Sequence, residues 1–195
     1  FGDVSGTSFF PAKPLGCYGD GGAIFTNNSE LAVKMKSIRV HGAGKDKYEN
    51  VRIGINGRLD SIQAGILLEK IEIFDYELEL RNTAAEYYTQ NINKTFIPPL
   101  IPDKYISSWA QYSVVLTESI ERDKLIEKLN LNGIPSMVYY KIPAHLQKGY
   151  NIYENKIGDF PVSEFISKKI LSLPMHPYLD KASQDKVLSI LNDEV

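Results

Sequence analysis

The chain has 195 residues, 43% hydrophobic and 24% charged, with 22 Lys and Arg against 24 Asp and Glu for a net charge of −2, a composition expected of a soluble globular protein. A pI near 6.0 leaves no electrostatic case for nucleic acid or an anionic membrane surface. One cysteine, Cys17, and three scattered histidines, His41, His145 and His176, exclude a disulfide framework and a multi-cysteine zinc site and fit a reducing cytoplasm. No apolar run reaches the roughly 18 residues that a membrane span needs, and no signal-peptide pattern is seen.

The first readable element is a strand over Thr7–Phe10, followed by Pro11, Lys13, a turn rich in glycine (Gly16, Gly19, Gly21, Gly22) and a second strand over Ala23–Thr26. Aromatic and β-branched residues bounded by Gly and Pro carry that reading. The glycines are expected to let backbone approach a bulky ligand closely. Lys13 is then a candidate amine nucleophile toward a carbonyl ligand, provided burial lowers its pKa; a solvated surface lysine competes. The order of residues excludes a P-loop, because Lys13 precedes the glycines and is followed by Pro14, and the glycine spacing is not that of a dinucleotide turn.

Ser29–Lys36 reads as a short helix with Ser29 as N-cap and Glu30 in the first turn. Arg39-Val40-His41-Gly42 leads into a polar loop over Ala43–Asn50. From Asp60 the apolar positions Ile62, Ile66, Leu67, Ile71, Phe74 and Leu78 recur at helical spacing, predicting one or two long helices as far as Asn91 with Asp60 as N-cap. Pro98, Pro99 and Pro102 mark a boundary. Beyond it the pattern predicts a strand over Gln111–Leu116, a helix over Glu121–Leu131, a strand over Ser136–Tyr140, and helices over Pro161–Leu171 and Ser183–Leu191, the last capped by Ser183.

The segment Ser8–Asn27, SFFPAKPLGCYGDGGAIFTN, resembles the Schiff-base lysine segment of DegT/StrS-type sugar-nucleotide aminotransferases, which use pyridoxal 5'-phosphate (PLP). The family pattern is roughly S-F-x-x-x-K-x-L-x-x-x-G-x-G-G, and each fixed position is present. The resemblance implies that Lys13 is the catalytic lysine that holds PLP and shuttles protons on the substrate. It also implies that Ser8 donates its hydroxyl to the cofactor phosphate; a strand serine facing a neighbour competes. Gly54-Ile55-Asn56-Gly57-Arg58 matches a G-x-N-x-R signature, in which the resemblance carries Asn56 across a dimer interface to the partner's phosphate. A turn asparagine tolerating left-handed geometry is the alternative. Arg58 is a candidate for a substrate carboxylate or phosphate, against a surface salt bridge. Tyr140 to Gln147, with Pro143 and His145, is similar to the family's Y-x-x-P-L-H-x-Q loop along the sugar nucleotide, with Ala144 in place of leucine. Tyr140 and His145 are carried over as substrate-binding, with a packed tyrosine and a surface histidine as the competing readings. The resemblance gives His41 a loop-positioning role, while Cys17 reads as a small packed residue.

The resemblance implies an α/β fold, the C-terminal part of a type I PLP aminotransferase. Residues 1–97 would form the end of the PLP-binding large domain with an interdomain helix, and 98–195 a small C-terminal α/β domain. The implied reaction moves an amino group from glutamate to a UDP-linked keto-sugar, most similar to the 3-oxo uronic acid branch, in a cytoplasmic homodimer serving cell-surface polysaccharide such as O-antigen. The resemblance runs the length of the chain but covers only the C-terminal half of a family member, and the chain starts at Phe1. A fragment inactive alone is therefore expected, with an exposed sheet edge and apolar face. A PLP-dependent sugar dehydratase, whose relatives usually carry histidine at the lysine position, and a non-catalytic remnant or interaction module are the alternatives.

Overall fold

Two antiparallel strands come first: β1 (Ser5–Ser8) pairs with β2 (Gly22–Phe25), Ser5 opposite Phe25 and Ser8 opposite Gly22. Both lie nearer the N-terminus than the sequence predicts. Phe9 N still donates to Gly21 O at 2.8 Å, but Cys17 N takes the Phe9 carbonyl at 2.8 Å, so the ladder gives way to a loop. The computed structural model describes residues 2–46 and 48–193, and the chain divides into two compact units, Phe1–Asp75 and Tyr76–Val195.

In the first unit, α1 (Ser29–Arg39) starts one residue earlier than a Ser29 cap would place it. Asn28 is the N-cap, its Oδ1 accepting from Glu30 N at 2.9 Å and Leu31 N at 3.1 Å, which satisfies two of the amides a helix start leaves open. The chain then doubles back on the end of α1. Ile55 N donates to Ile38 O, His41 N to Ile55 O, and Gly57 N to Arg39 O, all within 2.9 Å. The crossing is tight enough to require glycine twice. A Cβ on Gly54 would lie 2.1 Å from Gly42 N, and one on Gly42 (φ +76°) 1.8 Å from Arg52 O. α2 (Ser61–Asn91) is a single helix, and the limit between the units falls inside it. In its first part Leu67 is buried while Ile62, Leu68, Ile71 and Ile73 are exposed.

The second unit is built on a three-stranded antiparallel sheet in the order β3 (Phe96–Ile97), β4 (Tyr112–Leu116), β5 (Ile170–Leu173). β4 alternates as a half-buried strand should: Tyr112, Val114 and Leu116 are buried and the residues between them half-buried. The Tyr88 ring from α2 lies tilted against Tyr112 at 5.1 Å, and burial pushes both phenols above their ordinary pKa. α3 (Arg122–Leu131) adds Leu125 and Leu129, and α5 (Lys181–Asn192) adds Val187, Leu188 and Leu191.

Three expectations fail here. The helix α4 (Pro161–Lys169) stops two residues short of Leu171, because Ile170–Leu173 pairs along β4 with Leu171 opposite Val114. No strand forms over Ser136–Tyr140; only Met137 reaches β5, exchanging two backbone bonds with Ser172, after Pro135 and before a turn at Tyr139-Tyr140. The cap of α5 is Asp180 and not Ser183, whose amide Asp180 Oδ1 accepts at 2.7 Å.

Candidate active site

The residues singled out near the N-terminus are linked by their own backbone. Phe10 N donates to Ser8 Oγ at 3.2 Å and Lys13 N to Phe10 O at 2.8 Å, so Phe10 connects the two. In that bond the Ser8 oxygen accepts, which leaves its hydrogen free to donate. Lys13 is exposed, and among the described residues its amine has no hydrogen-bonding or ionic partner. The burial asked of it from the sequence is absent in this unit, where Lys13 stands exposed on the loop.

The glycines correct a second expectation. The space each leaves open is filled by the chain and not kept for a ligand. A Cβ on Gly16 would lie 2.6 Å from Phe10 O, on Gly21 2.8 Å from Cys17 Sγ, and on Gly22 2.8 Å from Thr7 O. Cys17, wholly buried, packs here with Sγ at 3.0 Å from Phe9 O and 3.1 Å from Gly19 O.

Asn56 and Arg58 are exposed on the segment that crosses the end of α1, Asn56 bridging to Val40. Arg58 makes no ion pair among the described residues, so the salt bridge that competed for it does not form. His41 sits beneath this crossing at φ +58°, its carbonyl accepting from Asn50 Nδ2 at 2.7 Å. A groove of about 910 Å³ runs between β1, β2, α1 and the 55–59 segment, lined by Thr7, Phe25, Met35, Ile38 and Leu59. It includes none of Ser8, Lys13, Asn56 or Arg58.

In the second unit, Tyr140 and His145 come together on a cavity of about 440 Å³ that Tyr139, Phe160, Ser163 and Ser167 also line. Tyr140 is largely exposed, 71%, with its ring edge-on to Tyr139 at 5.6 Å. His145 is not a surface histidine: its side chain is 8% exposed and its Nε2 lies 3.1 Å from Glu164 Oε1. Glu164 also accepts from Gly158 N at 2.8 Å and Phe160 N at 3.3 Å. The Gly158 amide first, with His145 and Phe160 beside it, holds this carboxyl below its usual pKa. Sequence reasoning missed Glu164. Pro161 at the start of α4 followed by an acid in the first turn was the available signal. Among the described residues no group of three or more His, Cys, Asp and Glu could hold a metal, and no helix is long and apolar enough to cross a membrane.

Compared with known families, residues 1–192 match the model of the DegT/DnrJ/EryC1/StrS aminotransferase family. The chain belongs to that family. A Pseudomonas aeruginosa relative named UDP-2-acetamido-2-deoxy-3-oxo-D-glucuronate aminotransferase is 44% identical over 92% of this chain and 48% of its own length. The crystal structure of a DegT/DnrJ/EryC1/StrS aminotransferase from Brucella abortus superposes with a TM-score of 0.92 at 50% identity, over 99% of this chain and 51% of that one. NtdA of Bacillus subtilis, solved with bound cofactor PMP, superposes at 0.85 with 27% identity, over 100% of this chain and 46% of that one. The chain thus has the α/β fold of part of a family aminotransferase, as the lysine segment implied, and spans about half the length of the relatives it matches.

Proposed function

We propose that this chain forms part of a PLP-dependent aminotransferase that aminates a UDP-linked keto-sugar with glutamate as donor. The observation that carries the reading is an unpartnered amine, Lys13, on a loop fixed by backbone bonds and joined through Phe10 to an available hydroxyl, Ser8. This donor set fits PLP: an amine for the aldehyde and a hydroxyl for the phosphate. When bound, PLP supplies an electron-withdrawing ring that eases removal of a proton from the carbon bearing the amine. Lys13 Nζ takes up and returns that proton, and Ser8 Oγ donates to the phosphate. Burial of the Lys13 amine, which keeps part of it uncharged, has to come from outside Phe1–Asp75.

Asn56 is assigned to the phosphate of a second copy, in a homodimer. What supports this is its exposure beside Ile53 and Ile55, which are 97% and 63% exposed and call for a covering surface. Arg58 is assigned to a carboxylate, since it is exposed and unpaired. Tyr140 and His145 are assigned to the sugar nucleotide, with Glu164 holding His145 Nε2 and so leaving Nδ1 for the ligand. The 3-oxo uronic acid is favoured as substrate by the name of the Pseudomonas relative, and a cytoplasmic role in cell-surface polysaccharide follows from that substrate class. Activity is assigned to a protein of the relatives' length, and residues 1–195 alone are expected to be inactive.

Borohydride reduction of the chain with PLP, followed by peptide mapping, tests the reading. Label is expected on Lys13 and absent in Lys13→Ala; label spread evenly over surface lysines would overturn it.

A further inference from the structure

The loop between Lys13 and Gly19 is held from two sides. On one side, Cys17 N donates to the Phe9 carbonyl just past β1. The other side is α2: Gln63 Oε1 accepts from Tyr18 N at 2.8 Å, and Lys70 Nζ donates to Gly16 O at 2.6 Å while standing 5.6 Å from the centre of the Tyr18 ring. Gln63 and Lys70 are seven residues apart, two turns of helix, so they leave α2 on one face. The loop is shaped to receive them. Gly19 leaves room for the Gln63 amide, whose Nε2 would lie 3.0 Å from a Cβ there, and Gly16 packs so closely on Phe10 O that no larger residue fits. A lysine spent on one backbone carbonyl forms a charge-assisted bond, stronger than a neutral one.

We propose that Gln63 and Lys70 are positioning residues that brace this loop and thereby fix where the Lys13 amine stands relative to Ser8. The bearing on Lys13 rests on the cofactor reading above; the bracing does not. Cys17 makes the brace measurable. It is the chain's single cysteine and 0% exposed, so iodoacetamide reaches it only when the loop opens.

In the purified chain, Lys70→Met and Gln63→Leu are expected to raise the alkylation rate about tenfold. Lys70→Arg and Gln63→Glu, which keep a charged donor and an acceptor, are expected to stay near the wild-type rate. Asn28→Ala weakens the same unit at the α1 cap without touching the loop, and is expected to leave the rate unchanged. Peptide mapping after reduction with PLP is run on the same variants, where losing either brace should lower the share of label on Lys13. Wild-type alkylation rates in Lys70→Met and Gln63→Leu, or rates no faster than in Asn28→Ala, would overturn the proposal. So would faster alkylation with the Lys13 share unchanged. If the thiol rates respond as expected but wild-type Lys13 takes no label, the cofactor reading fails and the brace stands.

Discussion

At the residue scale, carboxylates organise this chain where the sequence drew attention to basic and aromatic side chains. Glu164 gathers His145, Gly158 and Phe160, and Asp180 starts α5. Asp180 is held below the usual carboxylate range by the Ser183 amide first, then by the Ser183 hydroxyl and the neighbouring Ala182 amide and His176. A carboxyl with a depressed folded pKa stabilises above its unfolded pKa, and that contribution is lost as pH falls through the folded value. Asp180→Ala should therefore lower the melting temperature by a few degrees near neutral pH. The gap between variant and wild type should close below pH ~4, the ordinary aspartate range. Thermal unfolding at a series of pH values checks this; a gap independent of pH would mean that the side chain acts by packing alone.

At the element scale, the doubled-back segment at the end of α1 is set by backbone proximity. Gly54 packs against Gly42 and His41 with no room for a methyl group, so Gly54→Ala should cost about 3 kcal/mol and displace the Asn56 segment. Gly65 is the opposite case. It lies inside α2 with no heavy atom within 4 Å of where a Cβ would sit. Gly65→Ala should stabilise by roughly 0.5–1 kcal/mol, through helix propensity alone. Urea unfolding of the two variants separates close approach from propensity. Equal and small effects would show that the crossing relaxes freely.

At the scale of the whole molecule, the exposed apolar surface is the outstanding feature. Ile24 and Phe25 on β2 are 61% and 58% exposed, and Ile53 is almost wholly so. Large apolar side chains left in water favour association, and a two-stranded sheet offers unpaired edges. The purified chain should scatter light increasingly with concentration, and Phe25→Lys or Ile53→Lys should reduce the scattering. Monomer behaviour at all concentrations would show that these residues are tolerated in water.

The candidate residues near the N-terminus could be picked out together because they are close in sequence. Ser8, Lys13 and the glycines lie within fifteen residues of one another, and the alternation of Tyr112, Val114 and Leu116 marks β4 without reference to anything distant. The long helix α2 was legible from its period. What the sequence could not decide was set by partners far along the chain. Ile170–Leu173 became a strand because β4 offered it a ladder, and Ser136–Tyr140 did not because only Met137 finds an edge to pair with. The use of Gly16 and Gly19 for packing, the braces from Gln63 and Lys70, and the burial of His145 against Glu164 likewise needed the tertiary structure. Local spacing sets a residue's conformational preference, but which hydrogen bonds and contacts override it depends on what folding brings alongside.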